Sequence, residues 1–232
     1  MKKDNHRESL LKAAGRSVVL LMLFALCAGA ADVTINSVLD QMQKSEKSIT
    51  AVRFSYDQEI SYTLTSEKQS NTGEVTFQKP NNLSIQQIKP LEQLIVSNGK
   101  KVWVYTPAYN QVIVDNWKRW MKSSMVPASL LHLGQNWAEM KKEYSFSYAG
   151  FEGTSSSGTH VIVLEPRKQS PMGKWKLRLW VDTKEFIPRK AVLLGENITV
   201  TTVTKDYVVN PQLEKKAFTF KPPPQAEVLT LP

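Results

Sequence analysis

The spacing of apolar positions changes period along the chain. Ile35, Val38, Leu39 and Met42 recur at helical spacing, with Asp40, Gln41, Lys44 and Glu46 on the other side, which predicts an amphipathic helix packed along one stripe. From Val52 the period drops to two. In VRFSYDQEISYTL, Val52, Phe54, Tyr56, Ile60, Tyr62 and Leu64 fall on one side, and Arg53, Ser55, Asp57, Glu59, Ser61 and Thr63 on the other, as in an antiparallel strand with one wet face. The alternation returns around Val75 and Phe77, Leu83 and Ile85, Leu94 to Val96 and Val102 to Tyr105. It returns again at 111–115, 144–149, 159–165, 175–182, 189–195 and 197–203. Pro80, Pro90, Pro107, Pro166 and Pro188 fall between these runs, where a missing amide does no damage. Asn98-Gly99 between apolar runs predicts a hairpin, in a type I′ turn with positive φ at both central positions.

A meander of roughly ten strands with one apolar face must close, stack or be covered. Most strands are shorter than a bilayer-spanning barrel requires, which leaves a sandwich or a curved sheet. Between Trp117 and Lys142 the strand pattern stops. WKRWMKSSMVPASLLHLGQNWAEMKK carries Trp117, Trp120, Met121, Met125, Leu130, Leu131, Leu133, Trp137 and Met140, with Pro127 placed to open a short helix. Short amphipathic helices here either plug the core or, through adaptable Met and broad Trp side chains, form a lid over an apolar cavity.

The N-terminus sets the compartment. Lys2, Lys3, Arg7, Lys12 and Arg16 precede an apolar run from Val18 to Cys27, and Ala28-Gly29-Ala30 follows as a small-x-small cleavage site. Residues 1–30 therefore read as a secretory signal peptide, with Ala31 the new N-terminus and residues 31–232 one domain of a periplasmic protein. A membrane anchor would need about 20 apolar residues. Cys27 follows Leu26, which is too bulky for a lipidation motif. Cleavage removes five Lys/Arg and two Asp/Glu, leaving 25 basic against 19 acidic side chains, a net +6. It also removes the only cysteine, so the exported domain relies on a hydrophobic core without disulfides.

Candidate chemistry is sparse. The exported part holds two histidines, His132 and His160, and lacks HExxH, GxSxG and Cys/His metal spacing; GTSSSG at 153–158 reads as a hairpin loop. Asp57 and Glu59 share a strand face and read as solvated charges. No catalytic residue, metal site or cofactor is expected, and dispersed Lys/Arg in an exported chain argue against nucleic-acid binding.

The order of these pieces resembles the periplasmic lipoprotein carrier family LolA. A signal peptide and helix lead into AVRFSYDQEI and then GEVTFQKPNNLSI. LIVSNGKKVWVYTP follows, then a helical insert and the FTFKPP block at 218–223. Its most specific part is Lys79-Pro80-Asn81 followed by Ile95 to Lys100 and Trp103 to Pro107. The resemblance implies an incomplete antiparallel β-barrel, mainly β with short helices, whose open half-barrel is covered by a helical lid. It implies a cavity that acts as a chaperone for acyl chains during lipoprotein transport. On alternation, the cavity wall is expected at Phe54, Tyr56, Phe77, Leu83, Ile85, Leu94 and Val96, under a lid bearing Met125, Leu130, Leu131 and Leu133. The family's latch arginine is Lys79 here, a point charge in place of a planar fork. The implied partners are lipoprotein cargo, an inner-membrane ABC-type lipoprotein-releasing complex and an outer-membrane lipoprotein acceptor, with the carrier a monomer. The same half-barrel occurs in envelope-stress regulators, so a lipid- or peptide-sensing module is the alternative. A lipid hydrolase would need a nucleophile-base pair that the sequence does not display.

Overall fold

The computed structural model describes residues 34–123, 137–154, 157–168, 173–214 and 216–231. Helix α1 spans Ile35–Ser48 and is opened by Thr34, whose side chain accepts from the Ser37 amide at 3.3 Å. Its apolar stripe is buried at Val38, Leu39 and Met42, as the spacing predicts, and at Ile49 the backbone turns extended and the chain passes into the sheet.

Among the described residues the chain then forms twelve strands in one sheet. They are β1 (Ala51–Tyr62), β2 (Lys68–Gln78), β3 (Asn82–Lys89), β4 (Gln93–Asn98), β5 (Lys101–Thr106) and β6 (Gln111–Asn116). After helices α2 (Trp117–Ser123) and α3 (Trp137–Glu143) come β7 (Tyr144–Thr154), β8 (Ser157–Pro166), β9 (Lys176–Asp182), β10 (Pro188–Leu194), β11 (Ile198–Val209) and β12 (Glu227–Thr230). The sheet order is β12-β6-β5-β4-β3-β2-β1-β11-β10-β9-β8-β7, so each half is a meander and the β1–β11 pairing joins them. All pairs are antiparallel except β12 on β6. The edge strands β12 and β7 do not meet, and the barrel stays unclosed.

Two details depart from the sequence reading. The β4–β5 hairpin forms, but only Gly99 has positive φ (86°); Asn98 acts through its side chain, whose Oδ1 accepts from the amides of Lys100 and Lys101, both at 3.0 Å. Strand β12 lies beyond the apolar alternation that marks the others, and all four of its residues are exposed.

Both apolar clusters lie on one face of the sheet. One gathers Phe54, Tyr56, Val75, Phe77, Leu83 and Ile85 with Trp120 of α2 and Ile49. The other gathers Ile162, Leu164, Leu177, Leu179 and Val181 of β8 and β9 under Val38, Leu39 and Met42 of α1. Helix α1 therefore covers the second half of the sheet, and α2 reaches the first.

Candidate binding face

Cross-strand register fixes which side chains share the inner face. Val52 stands opposite Phe77, Phe54 opposite Val75 and Tyr56 opposite Gly73. Gly73 is required there: a Cβ would come within 2.5 Å of the Gln86 carbonyl oxygen and 3.0 Å of the Tyr56 ring. On the next strands Phe77 pairs with Leu83, Val75 with Ile85, Ile85 with Ile95 and Ile95 with Val104. Directly opposed residues point to the same side, so this chain of pairs defines the floor.

Five of the seven expected wall residues lie on that floor: Phe54, Tyr56, Phe77, Leu83 and Ile85 are all buried in the first cluster. Leu94 and Val96 do not. They pair with Gln86 and Ser84, on the opposite face of the sheet, and β4 contributes Ile95 to the floor instead. The run Leu94-Ile95-Val96 is apolar at every position, so alternation cannot set its face, and a one-residue slip inverts the assignment. The opposite face in this region carries Trp103 and Tyr105, with Phe220 packed against both at centroid distances of 6.4 and 6.0 Å. The FTF block is thus a cover for the outer face of β5.

The lid residues Met125, Leu130, Leu131 and Leu133, together with His132, lie outside the described residues. Lys79, expected as the latch on that lid, is engaged elsewhere. Its Nζ lies 2.7 Å from the Glu46 carboxylate and donates to the Glu46 carbonyl at 2.5 Å, in the last turn of α1. Asn210, in the left-handed region (φ 50°), secures the same junction: its Oδ1 accepts from the Thr50 amide at 2.8 Å and its Nδ2 donates to the Ser48 carbonyl at 3.0 Å. Helix α1 is fastened to the sheet at both β2 and β11.

Aromatic stacking and electrostatics shape the rest of the face. Tyr207 stacks on Phe54 at 5.0 Å, and the Arg189 guanidinium sits 4.4 Å over the Tyr207 ring. The Tyr207 hydroxyl is buried with no hydrogen-bond partner among the described residues, and burial pushes its pKa up. Asp115 accepts from Arg119 Nε at 2.6 Å across the entry to α2, and that bond holds its carboxyl below the usual carboxylate range. His160 packs among Tyr148, Phe151 and Phe186, with Nδ1 3.2 Å from the Tyr148 hydroxyl, in the manner of a buried aromatic. Asp57 pairs with Lys205, and Glu59 with Lys68 at 3.1 Å, both on the outer face.

One feature was not read from the sequence. Along the inner face, each of β1 to β6 carries an amide or hydroxyl beside its apolar residues: Gln58, Asn71, Gln87, Gln93, Thr106 and Gln111; on β1 the apolar side chains resume beyond it with the buried Ile60. Asn71 Nδ2 donates to Gln58 Oε1 at 2.9 Å, Gln58 Nε2 to Thr202 Oγ1 at 3.2 Å, and Gln93 Nε2 to Thr106 Oγ1 at 3.2 Å. The signal was present as a Gln, Asn or Thr in each of six consecutive strands, but it emerges only once register aligns them.

An open, almost wholly antiparallel sheet with a helix-covered apolar face defines the half-barrel class of fold. Residues 47–221 match the family model described as outer membrane lipoprotein carrier protein LolA, and the chain belongs to that family. An outer-membrane lipoprotein carrier protein of Dechloromonas aromatica is 26% identical over 216 residues, 92% of this chain and 98% of that one. A protein of the same name from Methylibium petroleiphilum is 34% identical over 99 residues, 43% of this chain and 47% of the relative's length. Among solved structures, an uncharacterized conserved protein of Thermus thermophilus superposes with TM-score 0.56 at 13% identity, over 84% of this chain and 98% of that one, a likeness of fold. No helix among the described residues is long and apolar enough to cross a membrane.

Proposed function

We propose that the protein is a periplasmic lipoprotein carrier that shelters acyl chains on its apolar inner face and ferries lipoproteins from the inner to the outer membrane. The observation that carries this reading is the match of residues 47–221 to the carrier family, over a segment that holds strands β1 to β11 and the whole first cluster. The physical need is plain: at about 0.8 kcal/mol per methylene, a sixteen-carbon chain resists water by roughly 12 kcal/mol, so acylated cargo cannot cross an aqueous space alone. A floor of Phe54, Val75, Leu83, Ile85 and Ile95 offers aliphatic and aromatic contact without charge. The carrier must hold chains less tightly than a bilayer does, so that delivery runs downhill. In this reading an ABC-type complex of the inner membrane loads it and an acceptor at the outer membrane unloads it.

Organic extraction of the protein purified from the periplasm, followed by mass spectrometry, tests the proposal. A co-purifying acylated protein or its lipidated N-terminal peptide is expected. Recovery of free lipid or unmodified peptide alone would favour a sensing module instead.

A further inference from the structure

The amide row gives the inner face a second kind of chemistry. On each of β1 to β6 the inward residue nearest the apolar floor is followed, two positions along or across a bulge, by a neutral hydrogen-bonding group. Between Phe54 and Gln58 lies only Tyr56; Ile85 is followed by Gln87, Ile95 is preceded by Gln93, and Ile113 by Gln111. The row runs in two parts, Gln58 opposite Asn71 on β1 and β2, then Gln87 opposite Gln93 and Thr106 opposite Gln111 on β3 to β6, with Gly73 facing Gln87 where they meet; its six members carry no formal charge. Its Asn71 is buried, as is Thr202, where the hydrogen-bonded chain from Gln69 ends. A solvated strand end needs no such arrangement, and buried amides are costly unless partnered. Each primary amide has two N–H donors; Gln58, Asn71, Gln87, Gln93 and Gln111 each spend one on a protein acceptor, that of Gln111 being the Glu227 carboxylate at 3.0 Å.

Resting on the carrier reading, we propose that this row is a head-group subsite: it donates hydrogen bonds to the ester and amide carbonyls that join acyl chains to their glycerol and peptide, while the chains themselves lie on the apolar floor. Carbonyl oxygens are neutral acceptors, and a neutral amide meets them without desolvating a charge. A phospholipid shares the glycerol esters but adds a phosphodiester, whose full negative charge meets no cation among the six members and, at Gln111, the carboxylate of Glu227; Lys89 lies beyond the row at the exposed end of β3. The row therefore selects acylated, uncharged linkages over phospholipid head groups, a distinction that a carrier working between two phospholipid membranes requires.

The test measures equilibrium binding of three fluorescent probes to the purified protein. These are a synthetic triacylated lipopeptide, its analogue with ether links in place of the ester and amide carbonyls, and phosphatidylglycerol of matched chain length. Wild type is expected to bind the lipopeptide at least tenfold more tightly than either of the others. Gln93→Leu, at a half-buried position, should weaken lipopeptide binding about five- to tenfold and leave the ether analogue unchanged; Asn71→Leu should do the same if it folds. Gln93→Lys should raise phosphatidylglycerol binding. Equal affinity of wild type for lipopeptide and ether analogue, with the Leu variant unchanged, overturns the subsite and leaves the carrier intact. Failure of wild type to bind any of the three overturns both.

Discussion

The ammonium of Lys79 lies between the carboxylate and the carbonyl of Glu46, at the end of α1, with both side chains mostly buried. A cation there also suits the negative end of the helix. Replacing it by Leu removes the pair and leaves Glu46 without its cation, which should cost about 1–2 kcal/mol of stability, measured by urea denaturation. As a clamp on α1, Lys79 can be lost without changing the rate of cargo transfer per folded molecule. A Lys79→Leu protein that loads normally but fails to unload would instead place the residue on the lid. Asp115 offers a pH handle at the other helix. Its folded pKa is lowered by Arg119, so its contribution is fully present above the ordinary carboxylate value of about 3.9 and is lost as pH falls through the lowered folded value. Acidification through that window should loosen α2, read as a change in the fluorescence of the stacked Trp117–Trp120 pair, 5.8 Å apart. An Asp115→Asn variant should lack that transition; if it keeps it, the groups responsible lie elsewhere.

Among the elements, those with clean periodicity were legible from the sequence. Helix α1 announced its buried stripe at Val38, Leu39 and Met42, and β1 its alternation, because a helix or strand with one wet face writes its geometry into side-chain polarity. Strand β4 did not, since Leu94, Ile95 and Val96 are apolar on both faces, the outer one being packed in its own right. The pairing of Lys79 with Glu46 joins positions 33 apart and left no local trace. The amide row was invisible for the same reason, being a property of register between strands. The face assignment can be checked on β4 itself. Ile95 and Leu94 are neighbours of similar exposure on opposite faces, so Ile95→Asn should reduce uptake of an acylated probe several-fold while Leu94→Asn leaves it near wild type. The reverse ranking would invert the inner and outer faces.

Taken whole, the molecule is an open sheet whose two halves meet at β1–β11 and whose inner face is divided between two apolar clusters and an amide row. Closure of the barrel would fill that face with its own side chains; leaving it open exposes apolar surface that must be covered by helices or by cargo. Helix α1, fastened by Lys79 and Asn210, is the fixed cover of the second half. The first half, with Trp120 of α2 packed into its cluster, is the part that takes cargo in the carrier reading. The most direct test adds the purified protein to spheroplasts displaying an outer-membrane lipoprotein, then passes the supernatant over outer-membrane vesicles. Lipoprotein is expected in the supernatant only with the protein present, bound to it, and then on the vesicles. Folded protein that releases no lipoprotein, or releases it without binding it, would rule out a carrier role.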